Sequence, residues 1–96
     1  MILKIFTVFD SKAEAYLPPF FLGSTGLAIR SFTDTVNGTD NNIAQHPEDY
    51  TLFELGEYDD ANAIINQYST PKSLGVAIEF KTQQELPLTQ PLKGVI

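Results

Sequence analysis

Cysteine and tryptophan are absent, histidine occurs once, and only 6 Lys and Arg stand against 12 Asp and Glu in the 96 residues. Without cysteine the chain forms no disulfide and no thiolate zinc site, and a reducing compartment is permitted. With His46 alone, a site that needs two imidazoles, such as the paired-histidine metal centre of rolling-circle nucleases, cannot be assembled from one chain. No segment approaches the roughly 18 consecutive apolar residues of a membrane helix. The N-terminus carries Lys4 but no small-residue cleavage site after an apolar stretch, so the expectation is a native start at Met1 and a cytoplasmic protein without membrane association. G-x-S-x-G, P-loop and G-x-G-x-x-G patterns are missing. Ser69-Thr70-Pro71-Lys72 matches S-x-x-K, but its companion motifs are absent and Pro71 interrupts the helix that pattern requires. The chain is expected to be no enzyme, with no catalytic residue, no cofactor and no metal.

What is present fits a small globular domain. The apolar share of 43% is near the ordinary level of about 45–50%, and the length allows one core and a single domain, 1–96. Charge is unevenly spread. Residues 1–39 balance Lys4, Lys12 and Arg30 against Asp10, Glu14 and Asp34, whereas residues 40–60 hold Asp40, Glu48, Asp49, Glu54, Glu57, Asp59 and Asp60 with no base. Duplex DNA selects basic faces, so an acidic middle third favours a basic partner protein. Any contact with nucleic acid has to come from the two ends of the chain.

Residues 2–9 are apolar on both alternating faces, the pattern of a strand covered on both sides. Asp10-Ser11 then punctuates, and Pro18-Pro19 keeps Tyr16 to Phe21 extended. Ser24 is the candidate N-cap of a helix whose stripe is Ala28, Phe32 and Val36, ended by Asn37-Gly38. Residues 38–46 read as a polar loop, and Pro47-Glu48-Asp49 as one helical turn. Tyr50 to Tyr58 reads as a strand with Phe53 and Leu55 on one face and Leu52 and Glu54 on the other. Asp59-Asp60-Ala61-Asn62 is a turn and residues 63–68 return as an antiparallel strand, or residues 60–68 form helix, since Ala61, Ile64, Ile65 and Tyr68 fit a 3.6 period. Leu74, Val76, Ile78 and Phe80 alternate with Gly75, Ala77, Glu79 and Lys81 as a further strand, and residues 84–96 form a loosely held tail. The expected class is α+β: a mostly antiparallel sheet with one main helix in the order β-α-β-β-β.

Two sets of surface residues are candidates for binding. Lys12, Tyr16, Phe20 and Phe21 mix base and aromatic, and with Lys4 and Arg30 they form a candidate nucleic-acid surface, because single-strand binders stack bases on aromatics flanked by cations. Phe6, Phe32 and Phe53 are expected in the core instead. Glu48, Asp49, Glu57, Asp59 and Asp60 are the candidate partner-binding residues. The last three can also be read as hard-cation ligands, but the calcium-loop spacing is missing and a solvated acidic turn is the better reading. His46, followed by Pro47, is read as a loop or capping residue rather than a base.

Three segments in order resemble one family. They are Phe6-Thr7-Val8-Phe9-Asp10-Ser11-Lys12-Ala13 with Tyr16-Leu17-Pro18-Pro19-Phe20; Ala28-Ile29-Arg30-Ser31-Phe32 with Val36-Asn37; and His46 to Phe53 running into Gly56-Glu57-Tyr58-Asp59-Asp60. This pattern, over residues 2–60 and thinning toward Gly75, is similar to the small non-structural protein of gokushoviruses, in the microvirus family. That protein is commonly equated with microvirus protein C, which moves replication from making duplex DNA to packaging single strands. The resemblance implies a host bacterial cytoplasm and a role in the phage DNA cycle, and it transfers no catalytic residue. Three functions follow as expectations: a regulator that binds the viral replication complex or procapsid protein, a direct single-stranded-DNA binder, and a homo-oligomeric module joined by a sheet edge or by Pro18 to Phe21.

Overall fold

The doubly apolar run at the N-terminus becomes the middle strand of an antiparallel sheet. The computed structural model of the chain describes residues 1–82, so the tail expected at 84–96 lies outside the described residues. β1 (Ile2–Asp10) pairs along its whole length with β4 (Tyr50–Asp59), from Ile2 opposite Asp59 to Asp10 opposite Tyr50. Its other edge is shared by two short strands, β2 (Ala15–Tyr16) and β3 (Phe20–Leu22), separated by the Pro18-Pro19 segment. β5 (Ile64–Val76) pairs with β4 and forms the far edge. The return after the Asp59 turn is therefore strand, not helix.

α1 (Thr25–Val36) covers one side of this sheet. Ser24 caps it, its hydroxyl accepting from the Leu27 N–H at 3.2 Å, which satisfies one of the orphan donors of the first turn. The stripe Ala28, Phe32 and Val36 is buried against Phe6, Val8, Tyr50 and Leu52. Asn37 ends the helix, and its amide donates to the Thr33 and Phe80 carbonyls at 2.9 and 3.0 Å. The architecture is α+β with an antiparallel sheet and one main helix.

The structure differs from the sequence reading in several places. Two short strands precede the helix, so the order is not β-α-β-β-β, and the strands expected at 63–68 and 74–81 are the single strand β5. Residues 38–46 contain a short helix, α2 (Asn42–Gln45), because the Asn41 side chain accepts from the Ala44 N–H at 2.7 Å. The strand expected over 74–81 stops at Val76, and Ala77–Phe80 is a 3-10 turn. Gly75 at φ 138° redirects the chain there, the Glu79 carboxylate accepts from the Val76 N–H, and Phe80 packs edge-on against Phe32 at 5.7 Å. Phe80 and, from the alternate positions, Ala77 thus meet the core without strand pairing, while Ile78 stays exposed. Phe53, expected in the core, is not there: opposite Thr7 in the register, it lies on the helix-free side against Tyr16, 5.9 Å between ring centroids. Leu52 and Glu54 do share a face, and it is the buried one.

Both hairpin turns are built alike. Asp10 accepts from the Lys12 and Ala13 N–H groups, Asp59 from the Ala61 N–H, and four residues after each aspartate a left-handed residue closes the loop: Glu14 at φ 57° and Ala63 at φ 59°. Such Asx turns supply local acceptors for backbone that the ladder leaves unpaired. Between them, β4 and β5 change register around Gly56. A Cβ at Gly56 would fall on the Asn66 carbonyl oxygen and within 2.9 Å of Gln67 Cα. Gly56→Ala is therefore expected to cost about 1–3 kcal/mol, because backbone rather than a flexible side chain has to move, with urea denaturation as the check.

Candidate functional site

The most enclosed ionisable group is Glu54, 2% exposed on the helix side of β4. An unpaired carboxylate so placed would cost several kcal/mol, and the fold meets it with donors from three elements. Thr25, in the first turn of α1, donates its hydroxyl at 2.7 Å; Tyr68 of β5 donates at 2.6 Å; Lys4 of β1 places its ammonium 3.7 Å away. Lys4 in turn bonds Glu57 at 3.0 Å. Burial pushes the Glu54 carboxyl up, but the Tyr68 and Thr25 hydrogen bonds and the Lys4 and Lys72 charges outweigh it and hold the group below its ordinary value. The bond to Glu54 likewise raises the Tyr68 phenol. The arrangement is saturated, with both carboxylate oxygens engaged from inside the protein, and it joins helix to sheet.

The five acidic candidates do not form one patch. Glu48 and Asp49 sit in the 3-10 turn Pro47–Asp49 before β4, while Glu57, Asp59 and Asp60 lie at its other end. The strand between Asp49 and Glu57, at about 3.3 Å per residue, holds the two groups roughly 25 Å apart. At the far end Asp59 is engaged by the turn, its carboxylate also accepting from the Asn62 amide at 2.9 Å, and these bonds hold its pKa down. Asp60 pairs with the Met1 ammonium at 2.9 Å. At the near end His46 closes both α2 and the 3-10 turn through its backbone, as expected of a capping residue. His46, Glu48 and Asp49 bring ligand atoms within 4.8 Å of one another at the rim of an open cleft that Asp10 and Lys12 also line. Sequence spacing hid this trio, because an acidic turn after Pro is ordinary capping chemistry.

The nucleic-acid candidates are also spread out. Lys4 is tied to Glu57 and Glu54 on the helix side of β1, whereas Lys12 lies beyond the opposite end of the same strand in the acidic cleft. Arg30 is exposed on α1. Phe20 stacks on Phe6 at 5.7 Å on the helix side, while Tyr16 faces the other way against Phe9 and Phe53. No two of these cations share a face with Tyr16.

The family model described as Phage ORF5 protein matches residues 3–80. The chain belongs to this family of phage proteins. Neither the curated proteins nor the solved structures contain a match to it.

In this ORF5-family chain the helix-free side of the sheet is the surface that sequence reading missed. Tyr16, Phe21, Phe53, Leu55, Tyr58 and Ile65 lie on it, with Phe21 and Tyr58 edge to face at 5.5 Å. Two shallow hollows of about 310 and 190 Å³ lie between these side chains, floored by Thr7, Ile5 and Leu55. The strand periodicity held the signal, since Phe53 and Leu55 share a face, but it assigned that face to the core. No helix among the described residues is long and apolar enough to cross a membrane.

Proposed function

We propose that this phage protein is a non-enzymatic, gokushovirus-type non-structural protein that acts in the host cytoplasm by binding a basic partner protein. As the counterpart of microvirus protein C, it would link replication to single-stranded-DNA packaging by engaging the viral replication complex or the procapsid protein. The observation that carries this reading is the distribution of charge: acidic side chains stand at both ends of β4, while Lys4 is consumed by Glu54 and Glu57 and the exposed bases are dispersed. Acidic surfaces steer basic partners and raise their association rates, and single-strand binding requires cations gathered beside stacking aromatics.

The hairpin tip is the end to test. Asp60→Lys reverses its most exposed carboxylate, and Asp59→Asn removes a second charge while keeping an oxygen that accepts from the Ala61 N–H. In the double variant, affinity for the purified replication protein or procapsid protein is expected to fall several-fold and to lose part of its salt dependence. A single cooperative thermal melt is retained, at a somewhat lower midpoint because the Asn62 and Met1 contacts are lost. Undiminished affinity for both partners, or salt-sensitive binding of a labelled single-stranded oligonucleotide by the unmodified chain, would overturn the reading.

A further inference from the structure

The sheet is covered on one side by α1, α2 and the two 3-10 turns; on its other side, among the described residues, no helix packs and the Leu17–Pro19 segment alone reaches over the buried Ile5 and Thr7. Tyr16, Phe21 and Ile65 are 54%, 42% and 59% exposed on that helix-free side. The cross-strand register brings no acidic or basic side chain onto it, although 19% of the chain is charged. We propose that this face is closed by the same face of a second copy of the chain, in a two-fold symmetric dimer.

Charge, area and shape point to that occupant. A nucleic acid needs cations for its phosphates and a basic protein needs carboxylates, and the face offers neither. Two copies, each of net charge −6, repel through their acidic ends and meet here without bringing carboxylates together. Buried aromatic side chains contribute about 150–250 Å² each, so the half-exposed Tyr16 and Phe21, with Leu17, Pro19 and Ile65, present several hundred Å² of apolar surface. That is within the range of the largest patches monomers leave open, about 300–600 Å², and supplies about half of the roughly 800 Å² per partner of a standard interface, as suits a dimer of micromolar strength. A two-fold contact has to be self-complementary. The protruding Phe21 and Ile65 rings and branches stand beside the hollow floored by Ile5 and Leu55, so knob and hole lie on one face and are exchanged by the two-fold.

Sedimentation equilibrium on the unmodified chain is expected to give twice the monomer mass at micromolar concentration. Phe21→Lys and Ile65→Lys, at opposite edges of the sheet, are each expected to raise the dissociation constant about tenfold or more, as loss of an interface anchor does. Leu27→Lys, exposed on α1, is expected to leave it unchanged. Should either face variant fail to fold, amide shifts of the unmodified chain followed on dilution decide the matter: the largest changes are expected at Ile5, Phe21, Leu55 and Ile65. A monomer at every concentration up to the millimolar range would overturn the proposal. So would a dimer indifferent to both face variants, or dilution shifts confined to the outer edge of β5.

Discussion

Phe6→Ala is expected to cost about 3–5 kcal/mol, the range for deleting a buried phenylalanine side chain. The ring is fully buried, stacks on Phe20, and packs in one cluster with Val8, Phe32 and Leu52 under α1. Its removal deletes the contact between sheet and helix at the middle of the core, and strand pairing holds the backbone on both sides, at Phe20 and Glu54, so little collapse can fill the void. A domain of this size has about 5–14 kcal/mol in all, from the usual 0.05–0.15 kcal/mol per residue, and at the lower end of that range the variant is left close to its unfolding midpoint. Urea denaturation is expected to show a much lower midpoint at unchanged slope. Phe53→Ala removes the same atoms from a partly buried position on the helix-free face, and a loss as large as that of Phe6→Ala would contradict the two-sided assignment.

The second large effect is expected from Tyr68→Phe. Deleting one hydroxyl leaves the buried Glu54 carboxylate with Thr25 and the more distant Lys4, and loss of a hydrogen bond to a charged group costs about 1.5–3 kcal/mol at neutral pH. The pH dependence is the sharper readout. The folded-state pKa of Glu54 lies below its unfolded value, so its charge stabilises the fold fully above the unfolded value, and this contribution is lost as pH falls through the folded value. Without the Tyr68 hydroxyl the principal influence opposing burial is gone, the folded pKa rises, and acid unfolding begins at a higher pH. An acid titration followed by circular dichroism checks this, and an unshifted acid midpoint would show that Glu54 is not the group being held.

Much of the fold is legible in single residues. Ser24, Ala28, Phe32, Val36 and Asn37 announce α1 because capping and a 3.6 period are local rules. The Asp59 turn is readable because an aspartate supplies its own backbone acceptor. What escapes is set by partners distant in sequence. Ile78 and Phe80 continue a strand-like alternation, but Gly75, the Glu79 bond to the Val76 N–H and the distant contact of Phe80 with Phe32 make the segment a 3-10 turn. Glu54 reads as one more acid in an acidic run, yet Thr25 and Tyr68 make it an interior group. Phe53 has the right period and the wrong side, since alternation separates two faces without saying which one the helix covers. The acidic candidates fail to gather for the same reason: closeness in sequence along an extended strand becomes distance in space.

The position of β1 has a further consequence, in the time domain. Of the five described strands, the first to be synthesised lies inside the sheet, and its main partner lies 40 residues away at Asp10–Tyr50 and 57 away at Ile2–Asp59. Contacts of such long range slow folding toward the millisecond-to-second regime of β-rich domains. Until β4 is synthesised, at about 5–20 residues per second, β1 has only the short strands β2 and β3 to pair with, and both of its faces are apolar. For those seconds the nascent chain offers a sticky, half-paired strand, and host chaperones are expected to meet this protein before any phage partner does.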